Sequence, residues 1–151
     1  MRRKDREMSK EFALQVVDKC EWATLATITP NNTPYCVTLS IARIENSIYF
    51  HCAKDGKKID CFKRFPDVCI SCVGDTCRLQ DEFATKYESA IVFGKVSQVT
   101  DREEKILALK AISERHTPAN MKNFDDVIQK SLSVTDVWKV SIDSISGKSK
   151  R

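Results

Sequence analysis

The sequence predicts a mainly β fold, an antiparallel β-barrel with helices packed outside it. Three observations predict this. Ala23–Thr29 alternates small or polar with apolar residues, and the runs from there to Ala53 are rich in β-branched and aromatic residues. Short turns, Pro30–Pro34 and Glu45–Ser47, join those runs as an antiparallel meander. The order of elements also holds too few helical crossovers for a parallel doubly wound sheet.

Taken in order, residues 9–20 (SKEFALQVVDKC) form a helix. Ser9 caps it, and Phe12, Val16, Val17 and Cys20 mark one face at spacings of three and four. The period then shifts to two. Ala23–Thr29, Tyr35–Ile44 and Ile48–Ala53 read as successive strands. Lys57–Phe65 is a short helix with Ile59 and Phe62 inward, stopped by Pro66. Val68–Val73 is a fourth strand, and the polar stretch Gly74–Thr85 has no clear assignment. Tyr87–Thr100 is a long strand in which Gly94 marks a bulge or a close backbone approach. Asp101–Glu114 is a helix capped by Thr100 or Asp101, its apolar face drawn from Ile106, Leu109 and Ile112 with Leu107 beside them. Asn123–Leu132 is a further short helix, and Val134–Ile145 closes the chain as a strand, in which Trp138 suits the core or an interface, the core being preferred.

Composition narrows the class. The 151 residues, 42% hydrophobic and 30% charged, suit one globular domain spanning 1–151. No apolar run reaches the ~20 residues that span a bilayer, and MRRKDREMSKEF lacks the apolar core of a secretory signal. The expected location is the cytoplasm, with no membrane partner. The net charge of +4 gathers partly in Arg2–Arg6 and Lys148–Arg151, which read as solvated tails. Basic and aromatic residues are not interleaved, so nucleic acid is not an expected partner.

Seven cysteines, at 20, 36, 52, 61, 69, 72 and 77, are an odd number without a secretory context, which argues against a disulfide framework. Cys69 and Cys72 form a CxxC, but on a strand residues three apart point to opposite faces. With His51 and His116 the only histidines, no second ligand pair is present, and no metal is expected. The cysteines read as reduced, small core hydrophobes.

The stretch Ile48–Pro66, IYFHCAKDGKKIDCFKRFP, carries the chemistry. A strand runs through His51 into a turn at Gly56, and Lys57 and Lys58 then open a helix. Free N–H groups and two cations at a helix start suit a phosphate. The same composition also fits a solvated, lysine-rich turn. His51, on the face opposite Phe50 and Cys52, is placed either to exchange a proton with a ligand or to serve as a satisfied structural residue.

The segments PYCVTLSIARIENSIYFHCAKDGKKIDCFKRFPDVCI and YESAIVFGKVSQV resemble the nitroimidazole-resistance branch of the pyridoxamine-phosphate-oxidase-like flavoproteins. The likeness covers most of residues 1–151. It implies an FMN-binding split β-barrel and a homodimer with FMN in a groove at the subunit interface. By the same resemblance, Cys36, Val37, Thr38, Leu39 and Ser40 run along the flavin ring, with Thr38 and Ser40 as polar contacts. Phe50 and His51 lie by the ribityl chain and ring edge, Lys57 and Lys58 hold the phosphate, and Ser89 reaches the flavin from the partner subunit. The implied activity is reduction of nitroaromatic or related small molecules, with His51 the catalytic proton donor. The chain ends SIDSISGKSKR, without the Trp- and Arg-rich segment that grips the substrate phosphate in true pyridoxamine-phosphate oxidases, so vitamin B6 oxidation is not expected. Two alternatives follow: a flavin- or haem-binding module without turnover on the same barrel, and a cysteine-based metal or redox protein.

Overall fold

Residues 2–150, the span the computed structural model describes, contain eight strands and four α-helices: β1 (Glu7–Met8), α1 (Lys10–Lys19), β2 (Ala23–Ile28), β3 (Pro34–Leu39), β4 (Ala42–Ile44), β5 (Ser47–Cys52), α2 (Lys57–Arg64), β6 (Asp67–Leu79), β7 (Ala84–Gln98), α3 (Arg102–His116), α4 (Phe124–Ser131) and β8 (Asp136–Lys150). The sheet is antiparallel throughout, in the order β3-β2-β6-β7-β8-β5-β4, with β1 added alongside β8. The mainly β, antiparallel class with outlying helices is the one the sequence predicts.

The connection from β3 to β4 shows how the sheet curls. The two strands are its opposite edges, yet only Ser40 and Ile41 separate them. Three peptide steps reach at most about 11 Å, whereas seven strands laid flat would hold their edges roughly 29 Å apart. The sheet must therefore roll up until its edges meet. In sequence Tyr35–Ile44 reads as one strand. It is two, because the chain changes from pairing with β2 to pairing with β5 at Ser40–Ile41.

Inside the roll lies the main core, where Leu25, Ile48, Phe50, Ile70, Val92 and Val140 meet Ala13, Val16 and Val17 of α1 and Ile59, Cys61 and Phe62 of α2. Ser9 caps α1 by accepting from the Phe12 N–H at 3.2 Å, as its position implies. Trp138 joins this core against Phe62, ring centres 5.3 Å apart. A second apolar cluster lies on the outer face, where Ala108, Leu109 and Ile112 of α3 cover Ala42, Tyr49, Val99 and Val137. Asp101 caps α3 through the Glu104 N–H at 2.8 Å. Leu107, read as part of the apolar face, is exposed, and Ala108 takes its place under the helix.

Three further expectations change. The unassigned stretch Gly74–Thr85 is the end of β6, a turn, and the start of β7. Strand β8 runs on through Gly147–Lys150, because its polar end is held by backbone pairing to β7 and β1 rather than by hydrophobic burial. The basic termini are consequently not free tails. Glu7 pairs with Lys148, and Tyr87 lies between Arg6, 3.5 Å from its hydroxyl, and the Lys148 ammonium, 5.7 Å from its ring centre. Arg151, also part of that expected tail, lies outside the described residues. Gly94 combines both features expected of it. The β7–β8 register shifts there, and an added Cβ would run into the Ser141 carbonyl.

Candidate functional site

The roll does not close completely. The β4–β5 ladder ends at the pair Ala42↔Tyr49, so Phe50, His51 and Cys52 have β8 on one side and no ladder partner on the other. Strand β3 pairs only with β2. Two free strand edges, each offering backbone N–H and C=O groups, therefore border a seam that starts beside Ser40.

Alternation decides what each predicted residue presents there. Cys36 and Thr38 point outward and are exposed, with Ser40 half-buried. Val37 and Leu39 turn into the core, leaving only their backbone for a ligand. Phe50 is fully buried against Phe62, so it too presents only backbone. His51 faces outward on β5, opposite Phe50 and Cys52. Ser89, on β7, is three strands from β3 and is not brought to the seam within one chain.

Helix α2 opens beside these edges. Gly56, its N-cap, has φ +125°, a conformation that favours glycine, and a Cβ placed there would meet nothing within 4 Å. The Gly56 carbonyl accepts from the Ile59 and Asp60 N–H groups, and no side chain caps the helix. The first-turn N–H groups of Lys57 and Lys58 thus have no capping side chain and stand at the positive end of the helix dipole. The Lys57 ammonium lies 4.6 Å from the Tyr35 ring centre, which ties the helix start to the start of β3. Desolvation, then the charges of Lys58 and His116, push His51 below the ordinary histidine value, so its ring is neutral at pH 7.

A cavity of about 660 Å³ adjoins the seam at Ser40. The end of α1 and the end of α3 frame it, with Cys20, Trp22, Arg115 and His116 in its wall. His116 Nε2 is 2.8 Å from the Ile41 carbonyl, which fixes α3 to the strand crossover. No local sequence signal marks Arg115 or Trp22. A second histidine was the only local sign of His116.

The outer face of β2, β6 and β7 is bare. Trp22 (57%), Val73 (51%) and Phe93 (54%) are each more than half exposed, and Ile28 is exposed beside them. Across this face Cys36, Ala26, Cys69 and Phe93 form one row on four strands. Cys69 is on this outer face while Cys72 is in the core, opposite sides as the alternation requires. Among the described residues no three His, Cys, Asp or Glu side chains gather as a metal site, and no helix is long and apolar enough to cross a membrane.

Residues 9–149 match the family described as pyridoxamine 5'-phosphate oxidase. No curated protein matches the chain. Among solved structures, a Bacteroides thetaiotaomicron protein provisionally named for 5-nitroimidazole antibiotic resistance is 24% identical with a TM-score of 0.78, over 95% of this chain and 86% of its own. The FAD and heme binding protein of Mycobacterium smegmatis is 19% identical with a TM-score of 0.81, over 97% of this chain and 74% of that one. A flavocytochrome of Azotobacter vinelandii is 18% identical with a TM-score of 0.79, over 95% and 68%. At these identities the likeness to the three structures is one of fold.

Proposed function

This chain belongs to the pyridoxamine 5'-phosphate oxidase family, and on that footing we propose that it binds FMN and acts as an FMN-dependent oxidoreductase on nitroaromatic or related small molecules. Its working form is a homodimer with the flavin at the subunit interface, each chain acting over 1–151 as one FMN-binding domain. The observation that carries the reading is the uncapped start of α2. Open space at Gly56, two lysines and free N–H groups stand beside the free edges of β3 and β5.

The residues fit the cofactor's chemistry. Lys57 and Lys58, with their N–H groups, would hold the phosphate. Cys36, Thr38 and Ser40 would meet the ring by side chain, and Val37, Leu39 and Phe50 by backbone. Ser89 would come from the second copy. Bound FMN would supply a two-electron store that accepts and passes on hydride. The protein's part is orientation, exclusion of water by the apolar face, and proton placement. A neutral His51 holds one ring proton and can donate a hydrogen bond at pH 7. It becomes a full acid only as pH falls below the ordinary histidine value of about 6.5. A step that draws its proton from His51 would therefore speed up on acidification, and His51→Gln would flatten that rise.

Purified protein mixed with FMN should take up flavin absorption. The reduced complex, mixed rapidly with a nitroimidazole, should reoxidise faster than without it. A protein that stays colourless with FMN defeats the reading at its root. Likeness in fold to a protein that binds both FAD and heme favours one second reading, a flavin- or haem-binding module without turnover. That module would bind cofactor but reoxidise at the same rate with and without the nitro compound.

A further inference from the structure

We propose that Cys20 and Cys72 form a reversible disulfide at the cavity between α1 and α3, with Cys20 the thiol that reacts first with hydrogen peroxide. The chain brings the two together by topology. Cys20 ends α1, its N–H bonded to the Val16 carbonyl at 2.9 Å, and three residues later Ala23 pairs with Cys72 on β6. Both side chains are buried in the same core cluster and both are free. The Cys20 thiol donates to the Val17 carbonyl at 3.3 Å, and the two side chains are near enough for each to shift the other's titration, so a resolving partner is at hand.

The two thiols are not equivalent. The Arg115 guanidinium reaches from α3 to the Val17 carbonyl at 3.0 Å and the Cys20 carbonyl at 2.6 Å, with Cys20 Sγ 3.7 Å away. The Cys72 thiol and Arg115 hold Cys20 down to about 7, against burial and the Asp18 carboxylate, which act the other way. Cys72 is pushed up by Cys20 and by burial. Cys52 and Cys61, the other buried cysteines, are raised by desolvation and have no arginine beside them. Cys20 alone of the buried set has both a stabilised thiolate and a place in the wall of the cavity.

The chemistry balances with peroxide as oxidant. The Cys20 thiolate attacks one peroxide oxygen, the O–O bond breaks, and after proton uptake one water leaves Cys20 as a sulfenic acid. The Cys72 sulfur then displaces the sulfenic hydroxyl as a second water. Two thiols lose two electrons, and peroxide gains them. The bond would tie the end of α1 to β6 beneath the cavity.

The test is peptide mapping of reduced wild-type protein treated with hydrogen peroxide, then denatured and alkylated without reductant. A Cys20–Cys72 cross-linked peptide, lost on adding dithiothreitol, is the expected result. Recovery of both as alkylated thiols, or their cross-linking instead to exposed Cys36 or Cys77, overturns the proposal. The wild-type map decides the pairing even where no variant folds. In Cys72→Ala, dimedone should label Cys20. In wild-type protein, where Cys72 is kept, the rate of cross-linking should be half-maximal near pH 7, and Arg115→Gln should lower it roughly tenfold at that pH and move the profile upward. An unmoved profile in folded Arg115→Gln removes the arginine's part.

Discussion

One sheet has two outer faces with opposite fates. Over β4, β5 and β8, helices α3 and α4 cover Ala42, Tyr49 and Val137 and make a second core. Over β2, β6 and β7, Trp22, Val73 and Phe93 stand in solvent, and among the described residues no helix is laid across them. Single exposed apolar residues are ordinary, but Trp22 and Val73 line one surface hollow and Phe93 lies on the same outer face, in the row of Cys69. The contrast teaches that an outward apolar residue on a strand announces a cover without saying whose. On one side the same chain supplies it. On the other we assign it to the second copy proposed above, which would also bring Ser89 to the β3 seam.

The largest expected effect breaks the covered side. Ile112→Asp puts a carboxylate into the α3 contact, losing apolar burial and stranding a charge. About 3–5 kcal/mol of stability should go, measured by urea unfolding. A loss within the error of that experiment would mean that α3 does not hold the fold together.

Next comes the boundary between the faces, where α2 starts. Lys57→Ala with Lys58→Ala removes two cations at exposed or half-buried positions, so stability should change by no more than about 0.5 kcal/mol. FMN affinity should fall about a hundredfold or more, since a hydrogen bond from a charged group contributes about 1.5–3 kcal/mol. Calorimetric titration with FMN reads this directly, and equal affinity in the double variant would take the lysines out of the site.

The open side is sharpened by Val73→Lys with Phe93→Lys. Both side chains already meet water, so the fold should persist by circular dichroism, while sedimentation velocity should shift from dimer to monomer. A wild type that sediments as a monomer would leave the open face without its proposed cover.

What could be read in the sequence follows from how local each feature is. The alternation in Ala23–Ile28, the apolar run that opens β5 at Ile48, the Ser9 cap and the glycine–lysine turn are all set by neighbours in the chain, and each was legible. The break at Ser40–Ile41 was not, because both halves are equally apolar and only the closing of the sheet divides them. Nor was the polar end of β8, held by backbone pairing that any residue can make. Arg115 meets the Cys20 carbonyl across 95 positions and His116 meets Ile41 across 75. No periodicity carries such a contact, so the cavity wall emerges only when the helices are packed.

The smallest effect separates burial from polar anchoring on the covered side. The Tyr49 hydroxyl donates to Glu104 Oε1 at 2.8 Å, and the Lys139 ammonium reaches the same oxygen at 2.6 Å. Desolvation and Glu104 push the phenol up to about 12, so it remains a donor throughout the neutral range. Lys139 first, then Tyr49, hold the Glu104 carboxyl below its ordinary value. A carboxylate lowered on folding adds stability above its unfolded value, and that stability is lost as pH falls through the folded one. Tyr49→Phe keeps the ring under α3 and removes one donor, so it should cost about 1 kcal/mol at pH 7. The difference from wild type should narrow as acid protonates Glu104. A gap that stays constant from pH 7 to pH 3 would assign the anchoring to ring packing alone, and the covered face would then be held by hydrophobic contact without the polar clasp.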